Sequence, residues 1–404
     1  MKYIIILGDG MADWPIAGFG NKTILQHARK PYMDMLAKRG RSGLLKTVPK
    51  GFHPGSEVAN MTVMGYDVTK SFEGRGVLEA ANIGVDIKPG EMGMRCNIIC
   101  IKDGLIKNHS AGHITTEEAD ELIKALDKEL GTDKIHFHTG IQYRHLLVIE
   151  GADKNLSCTP PHDVPGQPFR DLMIKATRPE AQPTADLIND LILRSQDILS
   201  KHPVNLKRVA EGKDPANSIW PWSPGYRPQM QTIREMFPQI QNSSVISAVD
   251  LIKGIGHYAG MKVIDVEGAT GLFDTNYENK TRAALEALKS DDLVYVHVEA
   301  ADEAGHEGNT ALKLRCVEDL DRRVIGPIYE QVKDWDEPVT IAVLPDHPTP
   351  CSHRTHTREN VPFLIWHRGI TPDSVCRYDE ESCQSGIYGT LENGTDFIRI
   401  LLES

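Results

Sequence analysis

The chain has 404 residues, 40% hydrophobic and 25% charged, and its 45 Lys and Arg against 56 Asp and Glu give a formal net charge of −11. At about 100–200 residues per domain, this is globular composition for two or three domains, or for one large core carrying an insertion. The acidic balance argues against a general nucleic-acid or anionic-membrane binder, which needs clustered positive charge. An anionic substrate would therefore need local cations or metal.

The seven cysteines run from Cys96 to Cys383 without a CxxC pair, so they do not indicate a disulfide framework. No apolar run approaches the ~18–20 residues that span a bilayer, and the start of the chain lacks the apolar region of a signal peptide. We therefore expect a cytoplasmic protein without membrane or nucleic-acid partners. The sequence leaves the oligomeric state open.

The first elements place an acidic side chain at the end of a strand. The apolar run Tyr3–Leu7 predicts a buried strand, and Asp9 follows where ligands bind in open α/β sheets. Apolar spacing over Ile24–Arg39 predicts a helix that Pro31 kinks or divides. After a loop rich in glycine and proline, a second helix is expected to begin at Ser56.

The middle of the chain has a different pattern. It predicts a hairpin over Asn97–Leu105, a helix over Thr116–Leu130 and a strand over His145–Glu150. Prolines are dense in Cys158–Arg178 and Pro215–Pro228, which predicts loops or linkers there.

An α/β alternation resumes later, with predicted strands at Lys262–Val266, Leu293–Val298 and Val339–Leu344 and helices at Asn279–Leu288 and Thr310–Val332. This alternation is typical of a mainly parallel sheet flanked by helices.

If the N-terminal strand joins that sheet, the middle of the chain is an insertion. We therefore expect a discontinuous α/β core formed by residues 1–80 and 246–404. The inserted, smaller α+β domain, residues 81–245, would act on the substrate as a lid.

Three predicted strands, ending near Leu7, Val298 and Leu344, are each followed by acidic or imidazole side chains. Parallel strands would bring these groups to one edge of the sheet: Asp9, Asp302, His306, Asp346 and His347. Oxygen and nitrogen ligands together suit Mn²⁺ or Zn²⁺, and two such ions about 3.5–4 Å apart stabilise in-line phosphoryl transfer. A lone histidine is more often structural, but this grouping favours a metal site.

Ser56 has two compatible interpretations. A serine at a helix start is often the N-cap, whose hydroxyl accepts a backbone N–H. It could also be a nucleophile whose phosphorylated form is held by the helix N-terminus, where N–H groups favour anions.

Several segments, in order along nearly the whole chain, together resemble the archaeal-type cofactor-independent phosphoglycerate mutases, which belong to the alkaline phosphatase superfamily. The matching segments are Leu7–Met11, Pro54–Asn60, Gly74–Ala81, Ser110–Gly112, Asp302–Asn309, Pro345–His347 and His356–Thr357.

The resemblance implies an alkaline-phosphatase-like fold with two divalent ions, Mn²⁺ first, with Zn²⁺ or Mg²⁺ as alternatives. One ion would be held by Asp302, His306 and His356. The other would be held by four residues: Asp9, Ser56, Asp346 and His347. By the same resemblance, Ser56 would take the phosphoryl group from 3-phosphoglycerate and return it to the 2-hydroxyl, so that no bisphosphoglycerate is needed.

Substrate anions also require cations from the protein, and arginine binds carboxylate and phosphate through two hydrogen bonds. Arg144 and Lys253 lie in segments similar to the substrate-contacting segments of the family, and Arg75 and His113 are further candidates. Asp163, in a proline-rich loop, could exchange protons with the glycerate hydroxyls, although a simple turn explains it as well.

One position departs from the family pattern. The segment Ser110–Gly112 commonly continues with arginine in the mutases, whereas His113 follows here. A sister branch with histidine has been proposed to act as homoserine kinases. Phosphoglycerate mutase is therefore the first expectation, with a homoserine kinase-like phosphotransferase or a phosphomonoesterase at the same site as alternatives. A metal-binding protein without catalysis would gain little from Ser56.

Overall fold

The structure is a computed structural model that describes residues 1–403. Its strands are β1 (Lys2–Gly8), β2 (Arg41–Leu45), β3 (Glu91–Lys102), β4 (Leu105–Asn108), β5 (Ile135–Ile141), β6 (Arg144–Glu150), β7 (Leu156–Ser157), β8 (Lys175–Ala176), β9 (Ser218–Tyr226), β10 (Ser243–Ile246), β11 (Lys262–Ile264), β12 (Leu293–Val298), β13 (Val339–Leu344), β14 (Val361–Trp366) and β15 (Thr390–Leu391).

The helices are α1 (Ile24–His27), α2 (Pro31–Arg39), α3 (Ser56–Val63), α4 (Val68–Ser71), α5 (Arg75–Asn82), α6 (Thr116–Leu130), α7 (Gln182–Leu199), α8 (Pro203–Ala210), α9 (Ile233–Met236), α10 (Asp250–Tyr258), α11 (Tyr277–Ala287), α12 (Ala300–His306), α13 (Thr310–Leu320), α14 (Gly326–Val332) and α15 (Gly394–Glu403). None of the helices between residues 1 and 403 is both long and apolar enough to cross a bilayer.

The chain forms two compact units: Met1–Phe72 with Met230–Ser404, and Glu73–Gln229. The insertion therefore begins and ends earlier along the chain than the boundaries at 80/81 and 245/246 predicted from sequence. The second unit takes in α5, which packs on β3 and β9. The first unit takes in α9, where the Ile233 N–H donates to the Ala259 carbonyl.

The first unit is built on an eight-stranded sheet in the order β11-β10-β12-β1-β13-β14-β2-β15. Every residue of β1 is buried, and its two neighbours β12 and β13 run parallel to it, as expected for a central strand of an α/β sheet. Within this sheet, as far as the described residues 1–403 show it, only the pairings of β14 with β13 and with β2 are antiparallel. The predicted α/β class, a mainly parallel sheet flanked by helices, is confirmed.

The register of β1 sets the position of the candidate site. Leu7 pairs with His297 on β12 and with Leu344 on β13. Asp9 lies two residues after Leu7, and Asp346 lies two residues after Leu344. Because Leu7 and Leu344 are paired, the two aspartates lie at the same level just beyond the ends of adjacent strands. This arrangement follows from the parallel pairing predicted from the sequence.

The long helical regions differ in detail from the prediction. Pro31 is the first residue of α2 and divides α1 from α2, as expected for a residue that cannot continue a helix. The predicted helix Thr310–Val332 is continuous, but Asp321–Ile325 adopts a π-helical turn between α13 and α14. The buried Asp321 carboxylate accepts the N–H groups of Tyr32 and Met33 at the start of α2.

The second unit contains an antiparallel sheet in the order β4-β3-β6-β5, with β9 also paired to β3. The predicted hairpin is formed by β3 and β4, and α6 has the predicted bounds. The loop predicted over Pro215–Pro228 is wrong, because this segment contains β9. Its prolines are tolerated because β9 pairs with β3 alone, with a register shift between Met94 and Arg95.

Candidate metal and phosphoryl-transfer site

Asp302, His306 and His356 form one compact group. Asp302 lies in the first turn of α12 and His306 ends that helix, four residues later on the same face. His306 Nε2 lies 3.1 Å from Asp302 Oδ2, and His356 Nε2 lies 3.4 Å from Asp302 Oδ1. The two Nε2 atoms are 2.9 Å apart. Three potential ligands thus point to one place.

The hydrogen bonds of the two imidazoles fix which nitrogen carries the proton. His306 Nδ1 lies 3.1 Å from the Arg354 carbonyl and His356 Nδ1 lies 2.9 Å from the Pro54 carbonyl. Carbonyl oxygens only accept, so both Nδ1 atoms carry hydrogen. Neutral rings would then direct two lone pairs at each other across 2.9 Å, an arrangement that requires a cation between them, either a proton or a metal ion.

Electrostatics agree with this need for positive charge. The hydrogen bond to Asp302 raises the pKa of His306 to about 9. Burial lowers the pKa of His356, but the contact with Asp302 outweighs burial and the net shift is upward. Burial likewise raises the pKa of Asp302, yet the two imidazoles outweigh it and hold the carboxyl well below its usual range.

A second group surrounds His347. Its Nε2 lies 3.2 Å from Ser56 Oγ, 3.3 Å from Asp346 Oδ2 and 3.6 Å from Asp9 Oδ1. His347, Asp9 and Asp346 are each at most 1% exposed. The two groups are neighbours, because the rings of His347 and His356 stack with their centroids 3.9 Å apart.

Asp9 provides a direct test of whether the second group suits a metal ion. Its Oδ2 forms a hydrogen bond of 2.8 Å with His297 Nε2. Its Oδ1 is buried and has no hydrogen-bond partner among residues 1–403. Burial, followed by the nearby Asp346 and Asp302 carboxylates, raises the pKa of Asp9 well above its usual value. A buried oxygen without a donor, facing other carboxylates, fits a cation ligand.

Ser56 is the first residue of α3, and the N-cap is Gly55. The N-cap interpretation of Ser56 is therefore wrong, and its hydroxyl is directed at His347 instead of at the backbone of its own helix. One turn later, Asn60 donates to Asp346 Oδ2 at 2.9 Å and accepts the Tyr295 hydroxyl at 2.6 Å. This chain of hydrogen bonds orients Asp346.

Sequence reasoning missed His297, Asn60 and Thr349, which contact candidate ligands, and Tyr295, which donates to Asn60. Burial lowers the pKa of His297 to about 3, so the ring is neutral. The sequence feature that could have identified such residues is a polar side chain inside an apolar segment, such as His297 in the otherwise apolar β12.

Lys253 lies on α10 in the same unit, and its Nζ pairs with Asp265 Oδ1 at 2.6 Å. The lysine side chain is mostly buried, whereas its partner Asp265 is exposed.

In the second unit, Arg144 is the first residue of β6 and its buried Nε has no hydrogen-bond partner among residues 1–403. Nearby, Glu79 accepts Arg75 Nε at 2.8 Å and Arg95 Nη1 at 3.1 Å. Burial raises the pKa of Glu79, but Arg95, Arg75 and, less strongly, Arg144 outweigh it and lower the pKa overall. Three guanidinium groups therefore lie close to one mostly buried carboxylate.

The other predicted substrate residues of the second unit, Asp163 and His113, have no described contact with the arginines around Glu79. Asp163 is exposed, in a short 3₁₀ turn, and lies 3.6 Å from His162 Nε2. His113 is also exposed and has a left-handed backbone, φ 57°. Arg95 was missed, although a charged residue inside the apolar strand β3 was the signal for it.

The fold and the site define an α/β protein in which carboxylates, imidazoles and a serine hydroxyl gather beyond the ends of parallel strands. Among solved structures, the PH0037 protein of Pyrococcus horikoshii is similar with a TM-score of 0.82 and 28% identity, covering 100% of this chain and 96% of that one. The cofactor-independent phosphoglycerate mutase of Thermoplasma acidophilum has a TM-score of 0.71 and 28% identity, covering 100% and 99%.

Sequence comparison gives the family. The family model described as 2,3-bisphosphoglycerate-independent phosphoglycerate mutase matches residues 37–205. The mutase of that name from Methanosarcina mazei is 52% identical over 100% of both chains, and the probable one from Geobacter sulfurreducens is 45% identical over 100% of both. The chain belongs to the family of 2,3-bisphosphoglycerate-independent phosphoglycerate mutases.

Proposed function

We propose that this protein interconverts 3-phosphoglycerate and 2-phosphoglycerate through a phosphoserine at Ser56. The observation that carries the proposal is the Ser56 hydroxyl, which is free of any capping role and lies 3.2 Å from His347 within a group of buried carboxylates. Relatives about half identical over their full length are named as mutases of this type.

The two groups of side chains would hold two divalent ions. Their oxygen and imidazole ligands suit Mn²⁺ or Zn²⁺, and of these we expect Mn²⁺ from the family resemblance. Asp302, His306 and His356 would hold one ion. The other would be held by Asp9, Ser56, Asp346 and His347. When bound, the ions would favour the ionised serine and neutralise negative charge on the phosphoryl group.

The reaction then consists of two transfers. Ser56 Oγ attacks phosphorus, the bond from phosphorus to the C3 oxygen breaks, and that oxygen takes a proton. The 2-hydroxyl of the bound glycerate next attacks the phosphoserine and loses its proton, which regenerates Ser56. Backbone N–H groups in the first turn of α3 favour the anionic phosphoserine.

Substrate orientation requires fixed cations and a proton carrier. Arg144, whose Nε lacks a partner among residues 1–403, would bind a carboxylate or phosphate of the substrate. Lys253 would supply a point charge beside the phosphoryl group. Asp163, which is exposed, would exchange protons with the glycerate hydroxyls.

His113 is the reason to test homoserine as an alternative phosphoryl acceptor. Its imidazole, at the position where the mutases commonly carry arginine, would remove one permanent positive charge from the region that selects the acceptor. A homoserine kinase-like transfer would use the same Ser56 chemistry with a different acceptor pocket.

One assay separates these functions. Chelated protein is supplied with Mn²⁺ and either 3-phosphoglycerate alone or homoserine with a phosphoryl donor, and 2-phosphoglycerate, phosphohomoserine and free phosphate are measured. We expect 2-phosphoglycerate without added bisphosphoglycerate. Phosphohomoserine as the main product would support the second function, and free phosphate alone would indicate a phosphomonoesterase.

A further inference from the structure

Thr349 lies between the two groups of candidate ligands. It follows His347 by two residues and is fully buried. Its hydroxyl forms a short hydrogen bond with Asp302 Oδ1, and the same oxygen lies 3.3 Å from His347 Nδ1. One hydroxyl therefore contacts a member of each group.

The Thr349 hydroxyl has one proton, so it can donate only one of its two hydrogen bonds and must accept the other. An ionised carboxylate has no proton to give, so the Thr349 hydroxyl donates to Asp302. The threonine oxygen can then only accept from His347 Nδ1, which must carry hydrogen. His347 Nε2 is left with its lone pair, and this is the atom 3.2 Å from Ser56 Oγ.

The surroundings hold Thr349 in place. A Cβ on Gly10 would come within 2.6 Å of the Thr349 hydroxyl and 2.5 Å of Asp302 Oδ1, so only glycine leaves room for the pair. The Thr349 carbonyl accepts Lys313 Nζ at 2.8 Å, and Lys313 also pairs with Asp13 at 2.8 Å. Both the backbone and the hydroxyl of Thr349 are therefore constrained.

We propose that Thr349 is a positioning residue that holds His347 in the Nδ1–H tautomer and fixes the carboxylate of Asp302, thereby coupling the two candidate metal positions. The proposal rests on the two-ion function proposed above. Partners of this kind that orient metal ligands typically change metal affinity about 10- to 100-fold when they are removed.

Replacing Thr349 by valine tests the role of the hydroxyl, because valine has nearly the same shape without the donor and acceptor. His347 Nδ1 would then face a methyl group, and its proton would move to Nε2, where the Asp9 and Asp346 carboxylates can accept it. A protonated Nε2 cannot bind a metal ion.

The first experiment reads the tautomer in metal-free protein labelled with ¹⁵N-histidine, by nuclear magnetic resonance. His347→Gln identifies the His347 signals by their loss. We expect Nδ1–H in the wild type and Thr349→Ser, and Nε2–H in Thr349→Val. Nε2–H in the wild type, or Nδ1–H retained in Thr349→Val, would overturn the proposal.

The second experiment measures Mn²⁺ binding by calorimetry for the same proteins. Thr349→Val should bind Mn²⁺ about 10- to 100-fold more weakly, and Thr349→Ser should restore binding. The matched control is Thr340→Val, which removes a buried hydroxyl at the far end of β13 and should bind as the wild type does. Equal binding by Thr349→Val and the wild type would contradict the proposal.

These results are separable from the proposed function. If the wild type shows the Nδ1–H tautomer and Thr349→Val loses Mn²⁺ affinity, but no phosphoglycerate is converted, the positioning role stands and the mutase proposal fails. If phosphoglycerate is converted while Thr349→Val matches the wild type in both experiments, only the positioning role fails.

Discussion

His297 Nε2 and Asp9 Oδ2 are joined by a fully buried hydrogen bond of 2.8 Å. On the other side of the ring, Nδ1 lies 3.1 Å from the Ser247 hydroxyl, which itself accepts the Val249 N–H. The His297 ring is neutral and an ionised Asp9 can only accept, so Nε2 donates its hydrogen to Asp9 and Nδ1 accepts the serine proton. This leaves Asp9 Oδ1 turned toward His347, at 3.6 Å from its Nε2.

Replacing His297 by leucine should weaken Mn²⁺ binding about 10- to 100-fold, because Asp9 loses the donor that orients it. Calorimetric titration of chelated protein measures this. The control is His145→Leu, which removes an equally buried histidine from the second unit, where it accepts the Gly140 N–H. Loss of Mn²⁺ affinity in both variants alike would show that the effect is general destabilisation.

Replacing Ser56 by alanine should lower kcat for phosphoglycerate by about 10⁴-fold or more, the scale seen when a covalent nucleophile is removed. Initial rates in the 3-phosphoglycerate assay measure the loss. Ser42→Ala is the matched control, since Ser42 is a buried serine of the same unit whose Oγ has no hydrogen-bond partner among residues 1–403. Turnover by Ser56→Ala at the rate of the control would refute the covalent route.

Arg144→Gln should raise KM for 3-phosphoglycerate about 10- to 100-fold, because a hydrogen bond between charged groups contributes about 1.5–3 kcal/mol. Arg144→Lys should recover part of the loss, since lysine keeps the charge without two-point binding. Steady-state kinetics measure both variants. Arg170→Gln removes an exposed arginine that stacks on Phe169 in the same unit, and should leave KM unchanged. An unchanged KM in Arg144→Gln would remove this residue from the substrate site.

Asp321 gives a prediction for stability. Burial raises its pKa to about 6, against the opposing effect of the Met33 and Tyr32 N–H groups. The unfolded chain, with a pKa near 3.8, holds fewer protons between these values, so stability should fall as pH rises from about 4 to about 6. This group contributes a slope of up to about 1.4 kcal/mol per pH unit.

Urea unfolding at several pH values in that range measures the slope, and Asp321→Asn should flatten it. Asp373→Asn is the control. Asp373 also accepts backbone N–H groups, those of Ser42 and Val375, but unlike Asp321 it is only half-buried. An unchanged slope in Asp321→Asn would mean that the carboxyl titrates normally.

The sequence was sufficient to predict which acidic groups meet at one edge of the sheet. Asp9 and Asp346 follow apolar strands whose parallel pairing brings them to the same level, and this depends only on strand ends and register. Asp302 and His306 are four residues apart on one short helix, a spacing that the sequence displays directly.

The orienting residues could not be predicted in the same way. The contacts of His297 with Asp9 and of Thr349 with Asp302 join residues far apart in sequence. In the sequence each of the two is one polar residue in or after an apolar strand. The proline-rich β9 was missed because its stability comes from pairing with β3, which proline content does not reveal. Local sequence patterns predicted many of the helices and strands, whereas the orienting hydrogen bonds and β9 depend on contacts between distant parts of the chain.

The most direct test is to mix the Mn²⁺-loaded protein with 3-phosphoglycerate, quench it with acid within the first turnovers, and map phosphorylated residues by mass spectrometry. We predict phosphate on the peptide that contains Ser56, formed only with metal present, and its disappearance in Ser56→Ala together with the activity. Conversion of 3-phosphoglycerate to 2-phosphoglycerate at the normal rate with phosphate on no residue, or on a residue other than Ser56, would contradict it.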